Sequence, residues 1–253
     1  MSDRIDRFLV EEITRELPGS RVLDLPAGDG SLGRLLEAAG HAVIPADLFP
    51  EALRWEGHVA VAADMNEALP FDSASFDAVV SQEGIEHLEN PASFLRECRR
   101  VLRPNGRLWL TTPNVMDLSS RLANLLTGMK SFHAGFPNEQ GTLWGRDGER
   151  LYHGHAFSLP YFQIRYLLRV CGFDGVSVTG LDRSAAGVAL YPLVRPLSGL
   201  LMRRAFRKLA RKKTSRAPSK SLQAELIRAA LSPALLCHKK ICVFARAAEG
   251  AAN

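Results

Sequence analysis

The sequence predicts an α/β protein built on a seven-stranded, mostly parallel sheet with helices on both faces. Two observations carry this. From residue 21 onward, short apolar runs alternate with stretches of helical periodicity, the pattern of parallel strands crossed by helices. The first run, "RVLDL", passes directly into the glycine-rich turn "PAGDGSLG" and then a helix, the strand–turn–helix order of a ligand-binding first unit. A chain of 253 residues, 46% apolar and 23% charged, suffices for one large domain with insertions. Residues 1–253 are therefore expected to form a single domain.

Each element has its own signal. Ile5, Phe8, Leu9, Ile13 and Leu17 lie near helical spacing over residues 2–17, and Pro18-Gly19 ends that helix. "RVLDL" is the first strand, and "SLGRLLEAAG" a helix closed by Gly40. "HAVIPAD", "HVAVAAD" and "FDAVVS" are the second, third and fourth strands. Pro45 cannot donate to a ladder and is expected at the second strand's carboxyl end. "PASFLRECRRVLRPNG" is a helix with Pro91 in its first turn, and "RLWLTT" the fifth strand. "LPYFQIRYLLRVCGF" is a helix, and "GVSVTGL" and "ICVFARA" are the sixth and seventh strands.

Two stretches interrupt the rhythm. Residues 113–157 show no clear periodicity but hold Phe132, Phe136, Trp144 and Tyr152; so long a connection is expected to be a lid over the acceptor. Residues 182–239 form an insertion between the sixth and seventh strands. The net charge of +5 is local to it. Between Arg195 and Lys220 lie ten Lys/Arg and no Asp/Glu, and the remainder of the chain is acidic. In "LLMRRAFRKLARKK", Met202, Ala205, Phe206 and Leu209 share one helical face, while Arg203, Arg204, Arg207, Lys208 and Arg211 cover the other. Such a helix suits an anionic membrane surface through residues 195–220, or packs its apolar stripe on the domain with a solvated basic face. Nucleic acid is a weaker partner, because few aromatics interleave with these cations. Pro192, Arg195 and Pro196 interrupt the run and argue against a membrane span. The charged start "MSDRIDRFLVEEITREL" is not a signal peptide. Cys98, Cys171, Cys237 and Cys242 form no paired motif. The expected location is the cytoplasm, at most peripheral to the inner face of a membrane.

Gly28-Asp29-Gly30-Ser31-Leu32-Gly33 fits the pattern of a dinucleotide loop, yet Asp29 stands where a pyrophosphate would meet the helix N-terminus. With Asp24 a turn away, the loop suits a cation better than an anion. S-adenosylmethionine carries a sulfonium and an ammonium and no phosphate. Asp47 ends the second strand, where a carboxylate accepts from ribose hydroxyls. Asp64 ends the third, where it can take an adenine amino group while Met65 covers the ring; each is equally consistent with a strand-end turn residue.

The pieces "VLDLPAGDG", "PADLFP", "ADMNEALPFDSASFDAVVSQEGIEHLEN" and "RECRRVLRPNGRLWLTTPN", in order from Val22 to Asn114, resemble a class I S-adenosylmethionine-dependent methyltransferase. The likeness is to the ubiquinone-pathway O-methyltransferases of the type 11 and 12 group. The resemblance implies a Rossmann-like sheet whose last strand is antiparallel. It also implies cofactor contacts at Asp24, Pro26, Ala27, Gly28, Gly30, Asp47, Leu48, Asp64, Met65 and Gln82. Pro26 departs from the pattern, which has a glycine there; with φ held near −65° and no N–H, it puts the contacts at 26–27 in question.

"QEGIEHL", residues 82–88, follows the fourth strand and overhangs the expected methyl position. Glu83 and Glu86 share a face if this segment turns helically, with His87 adjacent. Two oxygens and an imidazole suit Mg2+ or another divalent metal. The stretch resembles the metal-binding segment of both the ubiquinone-pathway enzymes and the small-RNA 2′-O-methyltransferases. In the latter a further histidine follows the fifth strand, and "YHGHAF" supplies His155. The expected catalytic set is His87, Glu86 and His155; the expected metal set is Glu83, Glu86, His87 and His155. Without a metal, His87 is a general base or shapes the pocket.

The expected function is O-methylation of a hydroxyl on a glycan, lipid-linked sugar or quinone-like small molecule. RNA 2′-O-methylation with a divalent metal is the alternative. An NAD-binding oxidoreductase is disfavoured by Asp29, and a non-catalytic binding module by the polar constellation at 82–87.

Overall fold

The structure is a computed structural model that describes residues 2–129, 136–138, 140, 142–144, 152–211 and 218–249. Helix α1 (Ser2–Glu16) precedes β1 (Arg21–Asp24), α2 (Ser31–Ala38), β2 (Ala42–Asp47), β3 (Val61–Ala62), β4 (Phe76–Gln82), α3 (Pro91–Val101) and β5 (Leu102–Pro113). Then come α4 (Leu118–Thr127), a two-stranded ribbon of β6 (Leu143–Trp144) and β7 (Tyr152–His153), α5 (Tyr161–Val170) and β8 (Phe173–Gly180). Helices α6 (Ala185–Arg211), α7 (Lys220–Ala230) and α8 (Pro233–Leu236) lead to β9 (Lys240–Ala247). The seven-stranded sheet has the order β3-β2-β1-β4-β5-β9-β8. The first five of these strands are parallel. The last strand runs against its neighbours, since Leu181 N donates to Lys240 O at one end of β8 and Ala248 N to Gly172 O at the other. The mostly parallel sheet with an antiparallel last strand is thus present.

The chain forms two compact units. The first holds Met1–Pro113, Pro137–Ser177 and Cys242–Asn253; the second holds Asn114–Phe136 and Val178–Ile241. In the first, β1, β4 and β5 bury Val22, Leu23, Val79, Val80, Leu108 and Trp109, with Phe94, Leu95 and Cys98 of α3 equally buried. In the second, Leu118, Leu236 and Cys237 form a small core against which Leu190, Tyr191 and Val194 of α6 pack.

Several sequence expectations are corrected. Pro45 lies inside β2, in register with Asp24. It is tolerated because β3 pairs only with Ala46 and Asp47, so β2 has an open side at Pro45. Helix α3 stops at Val101 rather than running through "LRPNG"; Arg103 precedes a proline and is pushed out of the helical region. Residues 113–157 are not aperiodic: α4 is capped by Asp117, which accepts from Ser119 N and Ser120 N, and closed by Gly128 at φ 73°. Of that stretch, Phe132 lies outside the described residues, as do the side chains of Trp144 and Tyr152. Helix α6 runs unbroken through Pro192 and Pro196, so by length and composition Ala185–Ala210 could cross a membrane.

All four cysteines are buried and free, and burial raises their thiol pKa values, which keeps the reactive thiolate scarce.

Gly33 is fixed by its neighbour rather than by its φ. A Cβ there would stand 2.4 Å from Trp55 Cζ3, and Trp55 is buried. Gly33→Ala is expected to destabilise the chain by about 1–3 kcal/mol, the usual cost of overpacking; urea unfolding measures it.

Candidate active site

A cavity of about 400 Å³ opens over the carboxyl ends of β1, β2 and β4, where open parallel sheets hold their ligands. Its floor is the turn after β1. Leu25 N donates to Val80 O, and Ala27 N to Ala46 O at 2.9 Å, so Pro26 costs the turn no hydrogen bond it needs. The Leu25–Pro26 peptide is cis. Gly28 takes φ 55° and Gly30 φ 81°, the left-handed conformation that glycine adopts freely. Asp47 fastens the turn from the next strand, its Oδ2 accepting from Gly28 N at 2.8 Å and its Oδ1 from Phe49 N at 2.9 Å.

The electrostatics are one-sided. Asp29, Asp47, Asp64 and Glu83 line the cavity, and no Lys or Arg does. Asp29 Oδ1 accepts from Ser31 N at 2.9 Å, occupying a backbone donor at the α2 N-terminus that a phosphate would need. That hydrogen bond holds the Asp29 carboxyl below its ordinary pKa. Beneath the turn, Asp24 is 1% exposed, and its Oδ2 has no hydrogen-bond partner among the described residues. Burial, followed by the charges of Asp6, Asp47 and Asp29, pushes its pKa up to about 8.

The segment after β4 forms the facing wall. Glu83 has φ 52°, a left-handed kink uncommon for a side-chain-bearing residue and frequent at functional sites. Its N–H donates to Thr111 O at 3.1 Å. A 3-10 turn, Ile85–His87, follows. The helical turn from Glu83 to His87 that the spacing suggests does not form. The two carboxylates part: Thr111 Oγ1 donates to Glu83 Oε1, and Thr112 Oγ1 donates to the buried Glu86 Oε2 at 3.0 Å. The residues that do meet are Glu86, His87 and His155, whose ligand atoms all lie within 4.8 Å of one another; Glu83 is not in that cluster. The His87 and His155 ring centroids are 4.9 Å apart, edge to face. His87 Nδ1 donates to the carbonyl oxygen of His153 at 2.6 Å, because a carbonyl can only accept. The neutral ring therefore keeps its lone pair on Nε2, the state that serves a base or a metal ligand. Phe157 N donates to Glu86 O at 3.1 Å, tying the His155 segment to this wall.

Residues 23–110 match the family described as "Methyltransferase domain". Over those residues the chain is similar to that family. Over 117 residues the chain is 34% identical to the ubiquinone biosynthesis O-methyltransferase of Xanthomonas oryzae, covering 43% of this chain and 49% of that protein. Over 115 residues it is 35% identical to the demethylmenaquinone methyltransferase of Clavibacter sepedonicus, covering 42% and 46%. The chain thus spans about half the length of these relatives. A crystal structure of a SAM-dependent methyltransferase from Archaeoglobus fulgidus superposes with a TM-score of 0.55 at 16% identity, over 95% of this chain and 94% of that one. At that identity the likeness shows the fold.

Of the residues expected to hold cofactor, Pro26, Ala27, Gly28, Asp47, Leu48, Asp64, Met65 and Gln82 line the cavity. Asp24 lies buried behind the turn. Gly30 faces away, and a Cβ there would meet Leu53 Cδ1 at 2.9 Å. Asp64 also caps its own turn, accepting from Asn66 N at 2.7 Å.

Two residues escaped the sequence reading. A Cβ on Gly84 would come within 2.8 Å of Pro26 Cδ and 2.9 Å of Met65 Cε, so the glycine in "QEGIEH" lets the wall close onto the floor. Asp6 of α1 is buried and accepts from Gln82 Nε2 at 2.9 Å, a partnership across 76 residues that no local pattern signals.

The raised Asp24 pKa has a definite pH signature. Its contribution to stability is whole below the ordinary aspartate value of 3.8 and is lost as pH rises through about 8. Asp24→Asn is expected to raise the ligand-free melting temperature at pH 8.5 by on the order of 5 °C, and to change it little at pH 4. Paired thermal melts decide it.

Proposed function

We propose that the chain is an S-adenosylmethionine-dependent O-methyltransferase acting on a hydroxyl of a small molecule: a glycan, lipid-linked sugar or quinone-like acceptor. The observation that carries this reading is the cavity wall of four carboxylates without a Lys or Arg. S-adenosylmethionine supplies a methyl group on a positively charged sulfur. The carboxylates of the wall, with no Lys or Arg among the lining residues, are the features that fit such a cation. The lone pairs that Asp47 has left after its two backbone bonds suit ribose hydroxyls, Asp64 and Met65 suit the adenine, and Gln82 and the 26–28 turn suit the amino-acid end.

His87 Nε2 takes the proton of the acceptor hydroxyl. The His153 carbonyl fixes the ring and favours the imidazolium that results, as the partner of a general base does. Glu86 stands beside it in a buried position and stabilises the same positive charge. Positioning the acceptor in line supplies much of the remaining rate. The homologue names support an O-methyl product.

A second reading rests on the cluster itself. Glu86, His87 and His155 offer one carboxylate and two imidazoles, a donor set that suits a divalent metal. Such an ion would lower the pKa of a coordinated hydroxyl, and RNA 2′-O-methylation would draw on the same residues.

Calorimetry is expected to show S-adenosylhomocysteine binding and no NAD binding; the reverse overturns the reading. His87→Ala is expected to lower kcat by about 10²–10⁴-fold while S-adenosylhomocysteine affinity changes less than about threefold. If activity ignores EDTA and Glu86→Ala binds no more weakly to added Mn2+ than Glu83→Ala, the metal reading falls. Labelled S-adenosylmethionine, offered with small hydroxylated acceptors and with RNA, separates the substrates.

A further inference from the structure

Helix α6 is two-sided within its own unit. Leu190, Tyr191 and Val194 pack on the core, and Tyr191 Oη donates to Leu231 O at 3.1 Å. The flank beside them is bare: Leu193, Leu197, Leu200 and Leu201 are 72%, 58%, 52% and 55% exposed. Their spacing of i, i+4, i+7 and i+8 forms one stripe, and the same period continues it into Arg204, Arg207 and Lys208, all exposed. Helix α4 of the same unit adds Leu125 and Leu126, 80% and 66% exposed. Monomeric soluble proteins rarely expose so many large apolar side chains together.

Between α6 and α7 lies an open groove of about 650 Å³. Arg195, Arg203, Lys220 and Arg228 line it, and no carboxylate does. Gly199 makes room for the side of the groove, since a Cβ there would stand 3.1 Å from Leu231 Cδ1.

We infer that this face of the second unit docks on an anionic phospholipid bilayer: the α6 leucines enter the interface, and the cations at its end and in the groove take lipid phosphates. The charge pattern selects this occupant. Apolar insertion with a cationic flank is the signature of an interfacial helix on anionic lipid, and the Arg195–Lys220 segment contains no acidic residue to repel it. An apolar protein partner would leave the four cations of the groove unused. An RNA backbone would use the cations but leave the leucines in water. The packed side of α6 makes it a helix lying on the surface rather than one surrounded by lipid. This inference is independent of the reaction.

Flotation of the full chain tests it, with vesicles of phosphatidylcholine alone and of phosphatidylcholine with phosphatidylglycerol. The wild-type chain is expected to float with the anionic vesicles only, and less at high salt. Joint replacement Leu193→Ser, Leu197→Ser, Leu200→Ser and Leu201→Ser should weaken binding by at least about tenfold. Joint replacement Arg204→Gln, Arg207→Gln and Lys208→Gln should weaken it by roughly a hundredfold. All seven side chains are exposed, so melting temperature and S-adenosylhomocysteine binding should stay at wild-type values. A wild-type chain that fails to float overturns the proposal, as do variants that float undiminished. A wild-type chain that ignores vesicles but shifts a short RNA gives the surface to nucleic acid and overturns it equally.

Discussion

Carboxylate repulsion is the constraint on which the first unit turns. Asp6 and Asp24 are buried, Asp29, Asp47, Asp64 and Glu83 border the cavity, and the lining offers no Lys or Arg to neutralise them. The protein manages this charge by three separate means. Backbone N–H groups take the oxygens of Asp47 and Asp29, the Gln82 amide takes Asp6, and Asp24 holds its proton. Each device is local, and together they leave a pocket that gains from a positively charged guest.

The same economy shapes the opposite wall. The kink at Glu83 turns the chain away from β4, Gly84 lets it settle against Pro26 and Met65, and the 3-10 turn then presents His87. A carbonyl from the β6–β7 ribbon chooses which ring nitrogen carries the hydrogen. Backbone strain, a missing side chain and one hydrogen bond therefore set the chemistry of a single imidazole.

Much of the fold was legible in the sequence because periodicity reports burial: β1, β2, β4 and β9 and helices α1, α2, α3 and α5 each announce themselves by spacing. Helix α4 was equally announced by Asp117, the leucines at 118, 122, 125 and 126, and Gly128, a short signal beside an aperiodic stretch of aromatics and histidines. The floor of the cavity was legible through its glycines and acids. Its wall was less so. The Glu83–Glu86 pairing presumed a helical turn, and a positive φ at a glutamate is dictated by long-range contacts such as that of Thr111, which no local window contains. Asp6 and Gly84 matter only once distant strands meet.

Helix α6 carries a last consequence in its two prolines. Pro192 and Pro196 have no amide hydrogen, so the carbonyls of Val188 and Pro192 lack the donor four residues on that an α-helix normally supplies. In hydrocarbon an unsatisfied carbonyl is worth several kcal/mol of penalty; in a hydrated headgroup layer water meets it at little cost. On the anionic bilayer proposed for this face, those two oxygens would favour a depth at which solvent still reaches the middle of the helix.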